Sequence, residues 1–388
     1  MNRFPRPVIL LLLISLLVRL AWAAVQPSTD AQIDRLPDQR EYLSLGRNLL
    51  HDGSLSFVDP RFDQRLFAYR SPGYPAFIAL MGGSPVAVRL LQAVVDTSTI
   101  LAVYLLAQRV TRQPGFAIYA AIIVAVDPFL IYFTGLVLSE TLFTALLIWG
   151  ILLLVQRRNM AAAILLLLAV LVRPSAILLA PILPLFIWPV RLRELLIVVA
   201  VMVIGLFPWA WRNHRVLGEY IWTTTNSGIT LYDGFNPSAG GASDQRFITQ
   251  MPQLQPMNEV ERSHYLQRLA HDWIGEHLTA LPKLTLTKIA RTWSPIPLSS
   301  EFSRPVYRII SAAYTLPLDV LLLMGLFSKS VKRRDKMILL LPAVYFTILC
   351  ICSVGSLRYR MPAAPALAVI AAAGLADLKP RFFPCPSL

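Results

Sequence analysis

The sequence predicts an all-α protein that crosses a membrane about ten times, and three observations carry the prediction. Hydrophobic residues make up 56% of the 388 positions, charged residues only 15%, and mean hydropathy is +0.57, too apolar for a core wrapped in a wettable surface. The apolar positions gather into runs near the roughly 20 residues a helix needs to cross hydrocarbon. Short basic loops then alternate with these runs, as cytoplasmic loops do.

The runs cover 7–25, 84–108, 114–135, 138–155, 160–172, 174–190, 194–211, 306–327, 336–353 and 361–378. The fifth and sixth are short and meet at Arg173-Pro174, as a tight hairpin or one broken element. The first, with Ala21-Trp22-Ala23 at its end, also fits a cleavable signal peptide. Arg19, which interrupts its apolar run, favours a retained anchor.

One set of loops holds Arg3 and Arg6, Arg109 and Arg112, Arg157 and Arg158, Arg191 and Arg193, the 329–336 cluster of Lys329, Lys332, Arg333, Arg334 and Lys336, and finally Lys379 and Arg381. The other set includes two long segments, 26–83 and 212–305, in which acids nearly balance bases. The expected topology puts both termini in the cytoplasm and both long loops outside, in one membrane-embedded domain spanning 1–388 with no soluble C-terminal domain. The formal charge of +14 is dispersed between apolar runs without a compact basic domain, so nucleic acid is not an expected partner. Cys350, Cys352 and Cys385 suggest neither a disulfide framework nor a zinc site. His51, His214, His264, His271 and His277 show no metal-ligand spacing and read as surface or interfacial, and Asp96 and Asp319 as polar helix contacts.

In the first long loop, PDQREYLSLGRNLLHDG (37–53) places Tyr42, Leu45, Gly46, Leu49 and Leu50 on one helical face, the pattern of a helix lying in the membrane surface and closed by Gly53. Pro37-Asp38-Gln39-Arg40-Glu41 reads as a capping box with Asp38 as N-cap and Glu41 at N3. Asp38 also reads as a base kept ionised by a helix N-terminus, and the two roles are compatible. The second long loop contains a comparable amphipathic stretch at 258–281, followed by another segment starting at Pro282. By the expected topology, Asp127-Pro128, Ser139-Glu140, Arg173-Pro174, Trp211-Arg212-Asn213 and Arg358-Tyr359-Arg360 all converge on the external face. Ionisable groups at membrane depth are functional candidates by default.

Asp38 with Tyr42, then RSPGYP (70–75), LSETLF (138–143), VRPSAILL (172–179), PWAWRN (208–213), TTTNSGITLYDGFNP (223–237) and RYRMPAAPAL (358–367) together resemble, in order, the GT-C membrane glycosyltransferases, the bacterial relatives of protein mannosyltransferases and of aminoarabinose and lipopolysaccharide-core transferases. The resemblance implies a GT-C bundle, a polyprenyl-phosphate sugar donor, a lipid, glycan or protein acceptor, and an active site on the periplasmic side of a bacterial inner membrane. It implies inverting transfer with Asp38 as base and Arg70, Arg173, Arg212, Arg358 and Arg360 as the pool for the donor phosphate, Arg358 and Arg360 favoured. Glu41, Tyr42, Tyr74 and Glu140 join the expected pocket. Many relatives carry a second acid directly after the first, where this chain has Gln39, so Glu41 or Glu140 takes over that task or one acid suffices. No DxD pair occurs in the first loop, and neither metal nor other cofactor is expected. A lipid-linked sugar flippase or transporter, or a glycan polymerase or ligase, are the alternative functions.

Overall fold

The computed structural model describes residues 5–34, 36–111, 114–187, 189–298 and 304–382. Arg3, Arg112 and Cys385 fall outside these, as do the side chains of Lys379 and Arg381. The described residues are mostly helical, with one short two-stranded hairpin. The bundle comprises α1 (Arg6–Ala24), α5 (Pro85–Thr111), α6 (Pro114–Ala125) with α7 (Pro128–Thr134), α8 (Glu140–Val155), α9 (Asn159–Val172), α11 (Leu192–Leu217), α16 (Pro305–Phe327), α17 (Arg333–Ile351) and α19 (Ala364–Phe382). Five described helices are each long and apolar enough to cross a membrane: α1, α5, α11, α16 and the stretch Leu357–Leu378.

Two predicted spans take a different shape, for reasons visible in their residues. The predicted helix over 114–135 bends by 52° between Ala125 and Pro128. Pro128 has no N–H to continue the helix, and Asp127 caps the next one by accepting from the Phe129 and Leu130 N–H groups. The predicted span 174–190 is a series of short turns, 3₁₀ at Pro174–Ala176, α10 at Leu179–Ile182 and 3₁₀ at Leu183–Phe186. Pro174, Pro181 and Pro184 fall within that stretch, and each removes a helix donor.

The basic loop after α8 meets the basic start of α11, where the Arg157 guanidinium pairs with Glu194. Away from that pair, the two long loops form a layer of their own. The first holds α2 (Asp30–Ile33), α3 (Pro37–Asp52), the hairpin β1 (Phe57–Asp59) and β2 (Gln64–Leu66), and α4 (Gly73–Leu80). The second holds α12 (Ser227–Gly234), α13 (Phe247–Gln250), α14 (Glu259–Glu276) and α15 (Leu281–Thr292). Leu45, Phe57, Phe62 and Leu66 from the first loop pack with Ile229, Phe247, Leu254 and Leu266 from the second, giving the layer its own hydrophobic core. Glu259 ties the loops further by accepting from the N–H groups of Phe67 (2.9 Å) and Ala68 and from Thr225 Oγ1 (2.9 Å).

Gly53 ends α3 in the left-handed conformation (φ 63°), as its sequence position predicts. The start of α3 corrects the predicted capping box. Leu36 is the N-cap and Pro37 opens the first turn, so Asp38 lies inside that turn and its carboxylate faces two arginines instead of the backbone. A capping box does form at α14, where Asn258 and Glu261 bond reciprocally.

Inside the bundle, α1 is fixed to α5 by an ion pair between Arg19 and Asp96, both fully buried. Arg19 also donates to the Ala125 carbonyl (3.1 Å) and the Val124 carbonyl (3.3 Å), both at the bend before Pro128. Loss of the first helix would strip Asp96 of its cation. Breaking one half of a buried pair costs about 3–5 kcal/mol, whereas replacing both halves with apolar groups is close to neutral. Arg19→Leu is therefore expected to lower the detergent-phase unfolding temperature, and adding Asp96→Leu to recover most of the loss; equal unfolding temperatures for the single variant and the wild type would assign the pair no structural role.

Candidate active site

Arg70 reaches the site because its segment docks tightly on the end of α9. Ser71 Oγ donates to the Val172 carbonyl (3.1 Å), and a Cβ at Gly73 would lie 2.7 Å from the Leu171 backbone. Only glycine permits that approach, and it places Arg70 beside Arg173, the first residue beyond α9. Leu357–Arg360 (α18) supplies Arg358, and the buried first residue of α8 supplies Glu140.

These residues form an alternating chain of opposite charges. Asp59 pairs with Arg61, and Arg61 reaches Glu41 at 3.3 Å. Glu41 pairs with Arg70, whose Nη2 donates to Asp38 Oδ1 at 2.6 Å. Arg358 Nη1 donates to the other oxygen, Asp38 Oδ2, at 2.8 Å, while its Nε donates to Glu140 at 2.6 Å. Glu140 finally pairs with Arg173 Nη1 at 2.8 Å. Four carboxylates thus alternate with four guanidinium groups, and 320 positions of sequence separate Asp38 from Arg358.

The members are not equally accessible. Glu140 and Glu41 side chains are 0% and 3% exposed, whereas Asp38 is 31% and Arg358 37% exposed. The accessible ones line a cavity of about 1380 Å³ between the loop layer and the bundle, together with Tyr42, Arg61, Arg70 and Arg173. Such a volume exceeds the usual 300–1,000 Å³ of small-molecule sites.

The charges set the protonation of the loop acids. Burial alone would raise the Asp38 carboxyl, but the charges and hydrogen bonds of Arg70 and Arg358 outweigh it and hold Asp38 well below the usual carboxylate range. Glu41 moves the other way: burial raises it, with the Asp38 charge adding to that and Arg70 offsetting only part. Burial and then the Glu41 charge push the Tyr69 hydroxyl up to about 12, so it stays neutral while accepting from Arg61 at 2.9 Å. The resulting site has one exposed, ionised carboxylate flanked by guanidinium groups that can turn toward an anion.

Of the residues singled out in the sequence, Asp38, Glu41, Glu140, Arg70, Arg173 and Arg358 come together. Tyr42 also belongs to the wall, its ring beneath the Arg70 guanidinium at 5.1 Å and its hydroxyl 3.4 Å from Ser139 Oγ. Three others are placed elsewhere. Arg212 donates to the carbonyls of Phe67 (2.7 Å) and Leu55 (2.9 Å), stapling the first loop to α11 outside the cavity. Arg360 faces a separate cavity of about 40 Å³ with Asp127, Tyr314 and Asp319, and donates to the Ser294 carbonyl at 2.8 Å. On a single helical turn Arg358 and Arg360 point apart, which fits their two-residue spacing. Tyr74 is fully buried and donates to Gln92 Oε1 at 2.7 Å. Gln39, directly after Asp38, is buried and accepts from the Val137 N–H at 2.7 Å, fixing α3 against the segment before α8.

Sequence reasoning missed Arg61, Asp59 and Tyr69. Asp59 and Arg61 belong to a hairpin with six residues of strand around a turn, too short for periodicity, where they read as ordinary loop charges, and Tyr69 lies just beyond it.

The architecture is shared with a solved oligosaccharyltransferase. The crystal structure of the Archaeoglobus fulgidus oligosaccharyltransferase tethered with an acceptor peptide containing the NVT sequon matches with a TM-score of 0.58 at 16% identity, over 96% of this chain and 50% of that one. Its apo form matches with a TM-score of 0.59 at 15% identity, over 97% and 51%. ArnT from Cupriavidus metallidurans bound to undecaprenyl phosphate overlaps with a TM-score of 0.46 at 14% identity, over 96% and 80%. This chain therefore spans about half the length of the oligosaccharyltransferase it matches. No protein-family model and no curated protein matches the sequence. The fold is that of the Archaeoglobus fulgidus oligosaccharyltransferase structures.

The placement of Tyr74 generates a test that separates support from chemistry. Tyr74→Phe leaves Gln92 Oε1 without its donor, a loss of about 1–3 kcal/mol. A lowered unfolding temperature with unchanged ligand binding in the cavity is expected; unchanged stability with lost binding would return Tyr74 to the site.

Proposed function

We propose that this chain is an inverting glycosyltransferase, moving a sugar from a polyprenyl-phosphate donor to a hydroxyl acceptor on the periplasmic side of a bacterial inner membrane. The observation that carries the reading is Asp38, exposed to a cavity and held between Arg70 and Arg358. The fold it shares with an oligosaccharyltransferase supports it, as do the two acid-balanced loops forming the layer above the cavity.

In the proposed reaction the acceptor oxygen attacks the anomeric carbon of the donor. The bond from that carbon to the lipid phosphate oxygen breaks, and its electron pair leaves on the phosphate. The acceptor proton passes to Asp38. A single displacement inverts the anomeric centre, by the same logic as an inverting glycosidase. Phosphate is a good leaving group, so the larger contribution falls to the guanidinium groups of Arg70, Arg173 and Arg358, oriented before substrate arrives. Their planar forks suit phosphate oxygens. Arg173 spends Nη1 on Glu140 and Ser139, and its Nη2 makes no hydrogen bond among the described residues.

The ion chain gives this mechanism a built-in order. In the unliganded site Asp38 is a poor base, because both its oxygens accept from cations. A donor phosphate competes for those cations, and every hydrogen bond it takes from Asp38 restores basicity to the carboxylate. Glu140, buried beneath Arg358 and Arg173, keeps both cations aimed at the cavity while this exchange occurs.

Purified protein given polyprenyl-phosphate sugars is expected to transfer or hydrolyse the donor; movement of the lipid between leaflets without donor breakdown would favour a flippase. Asp38→Asn should lower turnover by about 10²- to 10⁴-fold while polyprenyl phosphate still binds, and wild-type turnover in that variant would remove Asp38 from the chemistry. The reading carries no metal requirement: EDTA should leave the rate unchanged, and restoration by Mg²⁺ or Mn²⁺ after EDTA would contradict it.

The pH dependence follows from the sign of the Asp38 shift. A depressed carboxyl is lost as a base only when pH falls through its lowered value, so kcat/KM, which reports the free enzyme, should stay flat down to about pH 5. Donor phosphate weakens the cation contacts, so the acid limb of kcat should lie at higher pH than that of kcat/KM. The reverse order would show that the phosphate does not compete with Asp38.

A further inference from the structure

The cavity is larger than the ion chain that lines one part of it, and its remaining wall carries a cation with a different status. Arg61, Arg70, Arg173 and Arg358 each pair with a carboxylate. Arg291, on α15, also lines the cavity but has no carboxylate partner among the described residues, and its Nε is buried without a hydrogen-bond partner. Arg40, two residues from Asp38, is the other cavity-lining arginine without an ion pair among the described residues. It belongs to α3 and the donor end, whereas Arg291 comes from the second loop.

Arg291 is positioned rather than loose. The backbone of α15 presses on Gly355, where a Cβ would lie 2.4 Å from the Lys288 carbonyl oxygen, and the Gly355 N–H donates to the Gly241 carbonyl at 2.8 Å. The Arg291 stem packs over Gly241, its Cδ 3.5 Å from where a Cβ would stand. Gly355 is three residues before Arg358, so the helix bearing Arg291 is anchored beside the arginine that holds Asp38. Lys288, one turn earlier on α15, is not available to a ligand in the same way: fully buried, it donates to the Ile351 carbonyl at 3.1 Å and lies 3.6 Å from the Phe235 ring centroid.

Other polar groups line the same cavity. Asn226 Oδ1 is buried with no hydrogen-bond partner, and Thr223, Thr224, Ser227 and Gln267 line the cavity with it. An unpartnered guanidinium asks for an anion, and an unpartnered amide oxygen asks for an O–H or N–H donor.

We propose that Arg291 marks an acceptor subsite, and that the acceptor is a sugar carrying an anionic group, phosphate or carboxylate, whose hydroxyls face Asn226. This inference rests on the glycosyltransferase reading for the word acceptor, while the binding it predicts does not. The anion is held by Arg291 and the sugar by the Asn226 wall, which leaves a hydroxyl free to point along the cavity toward Asp38. The donor phosphate and the acceptor anion thus have separate cations, so neither must displace the other.

Isothermal titration of the purified full chain with glucose 6-phosphate, glucose and inorganic phosphate tests the proposal, with polyprenyl phosphate as the probe of the donor site. Glucose 6-phosphate should bind about tenfold or more tightly than either glucose or inorganic phosphate, with and without polyprenyl phosphate present. Arg291→Ala should abolish that preference and leave polyprenyl-phosphate affinity within about twofold, which also reports that the variant is folded. Arg291→Lys should keep part of the preference. Equal binding of glucose and glucose 6-phosphate by the wild type, or an unchanged preference in Arg291→Ala, would overturn the subsite. So would loss of sugar-phosphate binding in nanodiscs containing phosphatidylglycerol but not in phosphatidylcholine ones, because bulk lipid headgroups would then be the occupant. Failure of polyprenyl phosphate to bind the wild type, with the sugar-phosphate preference intact, would overturn the donor reading and leave the anionic-sugar site standing.

Discussion

The double claim on the Asp38 carboxylate, Arg70 on one oxygen and Arg358 on the other, organises this molecule. It joins the first turn of a loop helix to the entry of the last apolar helix. Such a contact forms only if the intervening helices return the chain to the same place. Isolated surface ion pairs contribute little, but these are partly shielded and linked into a series with Glu41 and Glu140, whose burial makes each arginine costly to remove. The same contact is what keeps the carboxylate ionised and weakly basic before any substrate is present.

Each half of the structure serves that arrangement. The bundle supplies Glu140 at a helix N-terminus, where a carboxylate is favoured by the helix dipole. The loop layer supplies Asp38, Glu41, Arg61 and Arg70, and its separate hydrophobic core holds them at a fixed height over the bundle. Arg212 and Gln39, both drawn into structural bonds, fasten the two halves together. A site assembled at the seam of two packed layers can be charged and still rigid, because neither layer has to solvate it alone.

Much of this was legible in the sequence. Apolar runs set eight of the helices within a few residues, since burying twenty apolar side chains leaves few alternatives. Arg173, Glu140 and Arg358 stood out because an ionisable residue at the end of an apolar run needs a partner, Asp38 because it opens an amphipathic loop helix, and Arg70 only through the resemblance of RSPGYP. What stayed hidden depends on three-dimensional partners that spacing does not encode. Asp38 looked like a cap because D-x-x-E is a local pattern, and only the arrival of Arg358 from the far end of the chain decides where the carboxylate turns. Arg360 looked equal to Arg358, yet two residues along a helix is more than half a turn. Arg61 sat in a hairpin with no periodicity to mark it, and Arg291 differs from its neighbours only by lacking a partner, which no sequence displays.

The central claim is that lipid phosphate takes over the cations that hold Asp38. A structure of the full chain with polyprenyl phosphate bound tests it most directly. The account predicts phosphate oxygens within hydrogen-bond reach of Arg358 and Arg70 or Arg173, and an Asp38 carboxylate that has given up at least one of its two guanidinium contacts. Phosphate seated away from these arginines, or an Asp38 still paired through both oxygens beside a bound phosphate, would contradict it.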